Sequence, residues 1–187
     1  MLHTILPTQM QAAEQTAFAA GLSPLLTMET AARAAFDVLL DLLGCDCRGK
    51  NVLFLCGPGN NGGDGLVMAR LLLQARGFAR IILLDTPKTA EAQINLCHLQ
   101  AMGADIEAVP DELLEDEYDA VVDALFGTGF TGSIAADSPA GRLLTWANTC
   151  GPMLSIDVPS GMDAATGAVE GVCARAIWTV TFHRPKP

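Results

Sequence analysis

Five glycines fall within nine residues, between an apolar run and a segment with helical periodicity. The segment Gly57–Gly65 is Gly-Pro-Gly-Asn-Asn-Gly-Gly-Asp-Gly. It follows Asn51–Cys56, which is typical of a buried strand, and precedes Leu66–Arg76, whose apolar residues recur at helical spacing. A helix start after a strand offers unpaired backbone N–H groups and the positive end of the helix dipole. The sequence therefore predicts an anion-binding corner at 57–65.

The composition of this corner favours a nucleotide-like ligand. Glycine permits positive φ angles and allows a ligand to approach the backbone closely. An ordinary tight turn needs fewer glycines than this segment contains. Asn60, Asn61 and Asp64 add side chains that can hydrogen-bond hydroxyl groups. We therefore expect a ligand with hydroxyls as well as phosphates.

Two further loops, each with polar side chains that could bind a ligand, follow predicted strands. The segment Asp123–Gly129 enters a Gly-Thr-Gly turn that continues to Ser133. Asp157 and Ser160 lie at the end of a later predicted strand. Ligands bind beyond the carboxyl ends of parallel strands, where helix N-termini point. One carboxylate at a strand end is usually a cap or turn residue, but three such loops at one edge predict a site.

Oxygen donors dominate these three loops. Asn61 offers an amide, Asp123 a carboxylate and Ser160 a hydroxyl, and the loops add many carbonyls. This set suits a hard cation such as K⁺, Na⁺, Mg²⁺ or Ca²⁺, and does not suit zinc or copper. A cation there would partly neutralise phosphate charge and tie the loops together.

A dinucleotide-binding Gly-x-Gly-x-x-Gly pattern is also present. It consists of Gly57, Gly59 and Gly62, and Asp85 ends the next predicted strand, where a ribose-binding acid belongs. Alone, this pattern indicates an NAD-dependent dehydrogenase. It leaves the segment Asn60–Asp64 unexplained, and the chain has no room for a separate substrate domain.

Helices and strands alternate along the chain. Most strands are near-continuous apolar runs, which indicates a parallel sheet covered on both faces. We therefore predict one α/β domain over residues 1–187, a three-layer Rossmann-like fold whose mostly parallel sheet has helices on both faces. The predicted helices are 8–20, 25–43, 66–76, 89–102 and one that opens at Ser138-Pro139; the predicted strands are 51–56, 80–84, 105–109, 118–125, 153–158 and 176–182.

Composition narrows the class of protein. Half of the 187 residues are apolar and 17% are charged, which is typical of a folded globular protein. The net charge of −10 argues against nucleic acid or an anionic membrane as a bulk partner. The six cysteines include no Cys-x-x-Cys pair, so we expect reduced thiols in a cytoplasmic protein. We also expect neither a signal peptide nor a membrane span.

The three loops together closely resemble the YjeF N-terminal-domain family, the NAD(P)H-hydrate epimerases. The matching segments are Gly57–Arg70, Val122–Gly129 and Ser155–Gly161, in family order. The similarity extends from about Gln9 to Lys186. One motif alone would be weak evidence, but three in order are specific.

The resemblance implies an isomerase that repairs damaged nicotinamide cofactors. Family members interconvert the R and S hydrates of NADH and NADPH, called NADHX and NADPHX, so that a dehydratase can use the S form. The resemblance also implies a K⁺ ion held by Asn61, Asp123 and Ser160. The substrate contacts that it implies are Asn60, Asn61, Gly62, Gly63, Asp64, Gly127, Thr128, Gly129, Phe130, Thr131, Gly132, Ser133 and Asp157.

Epimerisation requires a hydroxyl to leave the hydrated ring carbon and water to return on the other face. A nearby carboxyl group could donate and accept the proton and stabilise a cationic intermediate. Asp157 is the first candidate and Asp64 the second. The alternative is that Asp157 only binds a ribose hydroxyl or the ring amide. A non-catalytic nucleotide- or protein-binding module and an NAD-dependent oxidoreductase are the competing functional classes.

The sequence departs from the family at two places. The segment Met28–Ala32 lacks a glycine that the family usually carries there. The family domain normally continues beyond Pro187 with a further strand, so we expect a domain truncated at its C-terminus. In bacteria the family is often fused to an ADP- or ATP-dependent dehydratase. We also expect a homodimer, because the apolar stripes of the two N-terminal helices exceed what one short domain covers and relatives are often dimers.

Overall fold

The computed structural model describes residues 4–113 and 116–187. All of the helices and strands predicted from the sequence are present, with shifts at their ends. The helices are α1 (Pro7–Ala19), α2 (Pro24–Leu42), α3 (Asn60–Gln74), α4 (Ala90–Ala101) and α5 (Pro139–Ala147). The strands are β1 (Asn51–Cys56), β2 (Phe78–Leu83), β3 (Asp105–Ala108), β4 (Ala120–Ala124), β5 (Met153–Ile156) and β6 (Trp178–Val180).

The strands form one parallel sheet in the order β3-β2-β1-β4-β5-β6. The chain runs outward from β1 to β3, then crosses back to place β4 beside β1. The strand connections therefore diverge on either side of the β1–β4 pair, which opens a crevice beyond the carboxyl ends of these strands. The predicted α/β fold with a parallel sheet is confirmed.

Alternate residues of the strands face two separate apolar layers. On β1, Val52, Phe54 and Cys56 pack on the side of α2, α3 and α4, whereas Leu53 and Leu55 pack on the side of α5. This alternation is the ordinary period of a strand. Because both faces are covered, the strand residues are apolar without interruption, as the sequence indicated.

The two N-terminal helices pack very differently. Helix α2 buries Met28, Ala32, Ala35 and Leu39 in the same apolar layer as α3 and α4. Most of its predicted apolar stripe is therefore covered by its own chain. Helix α1 buries no residue. It lies at the rim of the crevice described below.

The prediction that a helix begins at Leu66 is wrong, because α3 begins at Asn60. None of the glycines at 57–65 has a positive φ angle, so backbone freedom does not explain them. Close packing does. An ideal Cβ on Gly62 would lie 1.8 Å from the carbonyl oxygen of Gly57, and one on Gly65 would lie 2.6 Å from the Cβ of Ala124. The glycines therefore let the first turns of α3 press against the sheet.

Two simpler features complete the description. Among the described residues, no helix combines the length and apolar character needed to cross a membrane. All six cysteines are described, and none forms a disulfide.

Candidate active site

The three loops predicted to converge line one cavity of about 620 Å³ at the carboxyl ends of β1, β4 and β5. Residues from α1 and from the segment after β6 close its other side. The predicted contact residues that line it are Asn60, Asn61, Asp64, Gly127, Thr128, Gly129, Phe130, Thr131 and Asp157. Four others do not line it: Gly62 and Gly63 are buried within α3, and Gly132 and Ser133 are exposed beside it.

Asp123, near the end of β4, is fully buried and joins the neighbouring loop ends. Its Oδ2 accepts hydrogen bonds from the Ser155 hydroxyl at 2.7 Å and the Ser160 N–H at 2.9 Å. Its Oδ1 accepts from the Ser160 hydroxyl at 2.6 Å and the Leu125 N–H at 3.3 Å. Burial raises the pKa of Asp123, and these hydrogen bonds oppose the rise.

The oxygen atoms around Asp123 fit the K⁺ ion that the resemblance implies. The Ser160 hydroxyl has a second acceptor, the Phe126 carbonyl at 3.2 Å, so it can release the Asp123 carboxylate and keep a hydrogen bond. A carboxylate, a hydroxyl and a carbonyl are thus brought together, and such hard oxygen donors suit an alkali cation. The described residues contain no group of three or more His, Cys, Asp or Glu side chains able to hold a metal ion.

The side chain of Asn61 lies beside Gly127, in the loop that follows β4. An ideal Cβ on Gly127 would lie 3.1 Å from Asn61 Oδ1 and 2.8 Å from Asp157 Oδ2, so only glycine leaves room for both side chains. Asn61 Nδ2 is buried and has no hydrogen-bond partner among the described residues. Such an orphaned group is expected where a ligand completes the site.

Asp157 follows β5 and has a left-handed backbone, with a φ angle of 68°. This conformation costs a residue other than glycine about 1–2 kcal/mol. It directs the carboxylate into the cavity, where Oδ2 accepts a hydrogen bond from the Thr128 N–H at 2.8 Å. Oδ1 lies 2.7 Å from the ammonium nitrogen of Lys186. These two contacts offset the backbone cost and fix the carboxylate.

Asp64 presents a carboxyl group of a different kind to the same cavity. It is only 8% exposed and no hydrogen-bond partner is seen for its side chain among the described residues. Burial raises its pKa well above the ordinary value, and the negative charges of Asp157 and Glu14 raise it further. The site therefore combines a buried carboxyl group with a raised pKa, on Asp64, and an ion-paired carboxylate, on Asp157.

Several lining residues were not anticipated from the sequence. Glu14 comes from α1; burial and the charge of Asp157 raise its pKa, while Lys186 and His183 oppose the rise. Phe126 stacks on the predicted contact residue Phe130, with ring centroids 4.9 Å apart. Two adjacent aromatic rings in a cavity wall offer a surface on which a planar base can stack.

A second cavity of about 640 Å³ lies between α1 and α2 and shares Glu14, Asn60 and Asp64 with the first. Its wall is mainly apolar, with Leu22, Leu26 and other aliphatic or aromatic side chains from the two helices. The two cavities therefore meet at the start of α3.

Asp85 does not have the position that a dehydrogenase requires. It is exposed, forms an ion pair with Lys88 at 2.9 Å, and lines neither cavity. Gly57 and Gly62, which supplied the dinucleotide pattern, pack against each other and against Leu125. These glycines are explained by packing within the chain.

The geometry agrees with comparisons to known proteins. Residues 26–187 match the family described as "YjeF-related protein N-terminus". The chain belongs to this family. The resemblance stated from the three motifs is thus confirmed, and the match includes all three loops and every strand of the sheet.

Relatives of known name support the assignment. The chain is 38% identical over 191 residues to the "Bifunctional NAD(P)H-hydrate repair enzyme Nnr" of Methanothermobacter thermautotrophicus, covering 96% of this chain and 36% of the relative. It is 36% identical over 165 residues to the "NAD(P)H-hydrate epimerase" of Nitrosopumilus maritimus, covering 85% of this chain and 75% of the relative. The chain thus spans about a third of the length of the bifunctional relatives.

The crystal structure of the yeast protein YNL200c has the same fold. The TM-score is 0.87 at 22% identity, and the alignment covers 100% of this chain and 82% of the yeast chain. At this identity the similarity concerns the fold alone.

Asp64 provides a test of the electrostatics of this site. Its folded-state pKa is raised, so the folded protein loses stability as pH rises above the unfolded-state value of about 3.9. In Asp64→Asn this loss is absent. We expect the free energy of unfolding of the variant, relative to wild type, to increase with pH by up to ~1.4 kcal/mol per unit until Asp64 ionises in the folded state.

Urea unfolding of both proteins at pH 4.5 and pH 7.5 measures this difference. Asp85→Asn is the matched control, because its carboxylate is exposed and its pKa is lowered by Lys88 and the Thr86 N–H. A difference between Asp64→Asn and wild type that stays constant with pH would contradict the raised pKa of Asp64.

Proposed function

We propose that the chain interconverts the R and S epimers of NADHX and NADPHX, as an isomerase of nicotinamide-cofactor repair. The observation that carries the proposal is that a buried Asp64 with a raised pKa and an ion-paired Asp157 line one cavity, beside the start of α3. Acid–base chemistry at one carbon needs a proton donor and a proton acceptor close together. The names of the relatives supply the substrate class.

The reaction requires no oxidant or reductant. The lone pair on the ring nitrogen expels the hydroxyl group from the adjacent hydrated carbon, and the hydroxyl leaves as water after it is protonated. The resulting ring cation then accepts water on its other face, and that water loses a proton. The substrate and the product are isomers, so every atom and charge balances.

The two carboxyl groups suit different parts of this reaction. Burial and two acidic neighbours raise the pKa of Asp64 well above its ordinary value, which favours the protonated form that can donate to the departing hydroxyl. The Asp157 carboxylate, paired with Lys186, can stabilise the ring cation and accept a proton from the incoming water. One turnover thus moves a proton from Asp64 to Asp157, and proton exchange with solvent restores both groups before the next turnover. From the sequence, a single carboxyl group is expected to donate and accept the proton, with Asp157 as the first candidate and Asp64 as the second. The structure favours a division of these two tasks between the two residues.

Replacement of Asp157 tests its part in the chemistry. Asp157→Asn keeps the shape of the side chain and removes the proton acceptor, so epimer exchange should slow by ~100-fold or more. The measurement is exchange between the R and S signals of NADHX by NMR, at saturating substrate. Near-normal exchange together with a raised KM would instead make Asp157 a binding residue.

The same assay tests the function as a whole. Purified protein in K⁺ buffer should accelerate exchange between the epimers above the rate without protein. Hydride transfer from ordinary NADH to an acceptor would indicate an oxidoreductase instead. Binding of NADHX without exchange would indicate a non-catalytic binding module.

A K⁺ ion at Asn61, Asp123 and Ser160 is part of this proposal. The ion would neutralise the buried carboxylate and offset phosphate charge near the glycine-rich loops. Asn61→Ala should weaken K⁺ binding and substrate binding together. The readout is the rise in Tm with KCl relative to choline chloride, since an ion that binds only the folded state stabilises it by about 2.7 kcal/mol at one hundred times its Kd.

Wild type should show the KCl-dependent rise in Tm, and Asn61→Ala should lose most of it. Thr131→Ala is the control, because Thr131 lines the cavity but is not a proposed ligand of the ion. Equal Tm values of wild type in the two salts would contradict the ion site.

A homodimer and a dehydratase partner complete the proposal. The first is supported by α1, which buries no residue, and by Leu22, Leu25 and Leu26, which are exposed near the start of α2. A closed two-fold contact would cover them. Light scattering at tens of micromolar should give twice the mass of one chain; the mass of one chain would overturn the dimer.

The word "bifunctional" in the relatives' names supports a fused or separate dehydratase, and the free cysteines support a cytoplasmic location.

A further inference from the structure

Lys186 is a buried cation in direct contact with the candidate acid–base residue Asp157. The two side chains are 7% and 13% exposed, and Nζ lies 2.7 Å from Asp157 Oδ1. An ammonium group is buried only where partners compensate for its lost hydration. Its burial against Asp157 therefore needs an explanation beyond surface charge.

All three donors of the Lys186 ammonium group are committed to the protein. Besides Asp157, they bond the Thr181 hydroxyl at 2.8 Å and the Phe182 carbonyl at 3.2 Å. A lysine ammonium group has three donors and no acceptor. No donor is left for a substrate, so Lys186 acts on the reaction only through Asp157.

The segment after β6 changes direction at His183 and places Lys186 beside Asp157. After β6 the chain reverses at His183, which has a φ angle of 64° although it is not glycine. The returning segment is held by a hydrogen bond from the Ile5 N–H to the Pro185 carbonyl, 3.0 Å long. Two left-handed non-glycine residues, His183 and Asp157, thus flank one ion pair. Conformations of this kind persist where the surrounding structure enforces them.

We propose that Lys186 is the positioning residue of the epimerase, holding the Asp157 carboxylate in the one orientation that faces the substrate; this rests on the function proposed above. Lys186 fixes Oδ1 while the Thr128 N–H fixes Oδ2 at 2.8 Å. Without the ammonium group, one oxygen loses its anchor and the carboxylate can rotate about its side-chain bonds.

The test compares Lys186→Met, which keeps the length of the side chain, with wild type. Misplacement of a reacting group by about 1 Å can cost 10²-fold, so kcat should fall by about 100-fold while KM changes little. In an Asp157→Asn background the same substitution should have almost no further effect on kcat, because no carboxylate remains to be positioned. In Lys186→Ala, added propylammonium should restore part of kcat, and sodium at the same concentration should not.

Lys50→Met is the matched control. Lys50 forms an ion pair of similar length with Asp119, 2.8 Å, at the opposite end of β1 and β4. The Lys50→Met variant should leave kcat unchanged. A similar loss of kcat in both variants, an additive loss in the Asp157→Asn background, or a Lys186→Met enzyme with wild-type kcat would each overturn the positioning role.

A crystal structure of Lys186→Met separates this inference from the proposed function. The variant should show the Asp157 carboxylate rotated, with Oδ1 displaced from its wild-type position. If wild type gives no epimer exchange, the proposed reaction fails and this structure alone decides the positioning role. An Asp157 side chain that stays in place would refute it.

Discussion

The architecture of the cavity depends on one buried carboxylate. Asp123 accepts four hydrogen bonds, which link the end of β4 to β5 and to the loop that carries Ser160. Removing a carboxylate from water costs several kcal/mol, whereas each hydrogen bond to a charged group contributes about 1.5–3 kcal/mol. Four such bonds offset most of this cost, and the part that remains is seen in the raised pKa of Asp123. The loops around Asp123 consequently have little freedom to move apart.

A second constraint is the lack of a Cβ atom at three glycines near the start of α3. Gly57, Gly62 and Gly65 allow α3 to begin in contact with the strand ends, because each added Cβ would meet a backbone or side-chain atom at 3 Å or less. The first N–H groups of α3, which have no partner inside the helix, therefore reach the same crevice as the buried carboxylate. The positive helix end and the acidic loops are brought together by packing, not by a salt bridge.

The sequence predicted the fold and the three loops because their signals are local. Apolar strands covered on both faces, glycine-dense turns and Ser138, whose side chain accepts a hydrogen bond from the Gly141 N–H, can each be recognised from neighbouring residues alone. The start of α3 was missed because glycine has a low helix propensity, and contacts with distant residues overrode that preference.

Glu14 and Lys186 were missed for a different reason. Glu14 lies on α1, which buries no residue, so nothing in its own helix distinguishes it from an ordinary surface glutamate. Lys186 reaches Asp157 through a left-handed turn at His183, where no glycine signals the reversal. Lys186 contacts Asp157 and Glu14 feels its charge, and both interactions join positions that local patterns do not connect.

The charges in the cavity explain how an acidic chain could accept an anionic dinucleotide. Three carboxyl groups, on Glu14, Asp64 and Asp157, face the space where the proposed substrate would bind. Burial and acidic neighbours raise the pKa of Asp64 and so oppose its negative charge, and the charge of Asp157 is paired with that of Lys186. The net charge of −10 therefore belongs mainly to the outer surface, where salt screens it within about 10 Å. The pKa of the remaining carboxyl group, Glu14, is raised by burial and by the charge of Asp157, which opposes its negative charge as well. The α3 N-terminus and the backbone N–H groups of the glycine-rich loops also act on phosphate groups in the cavity, and both favour an anion.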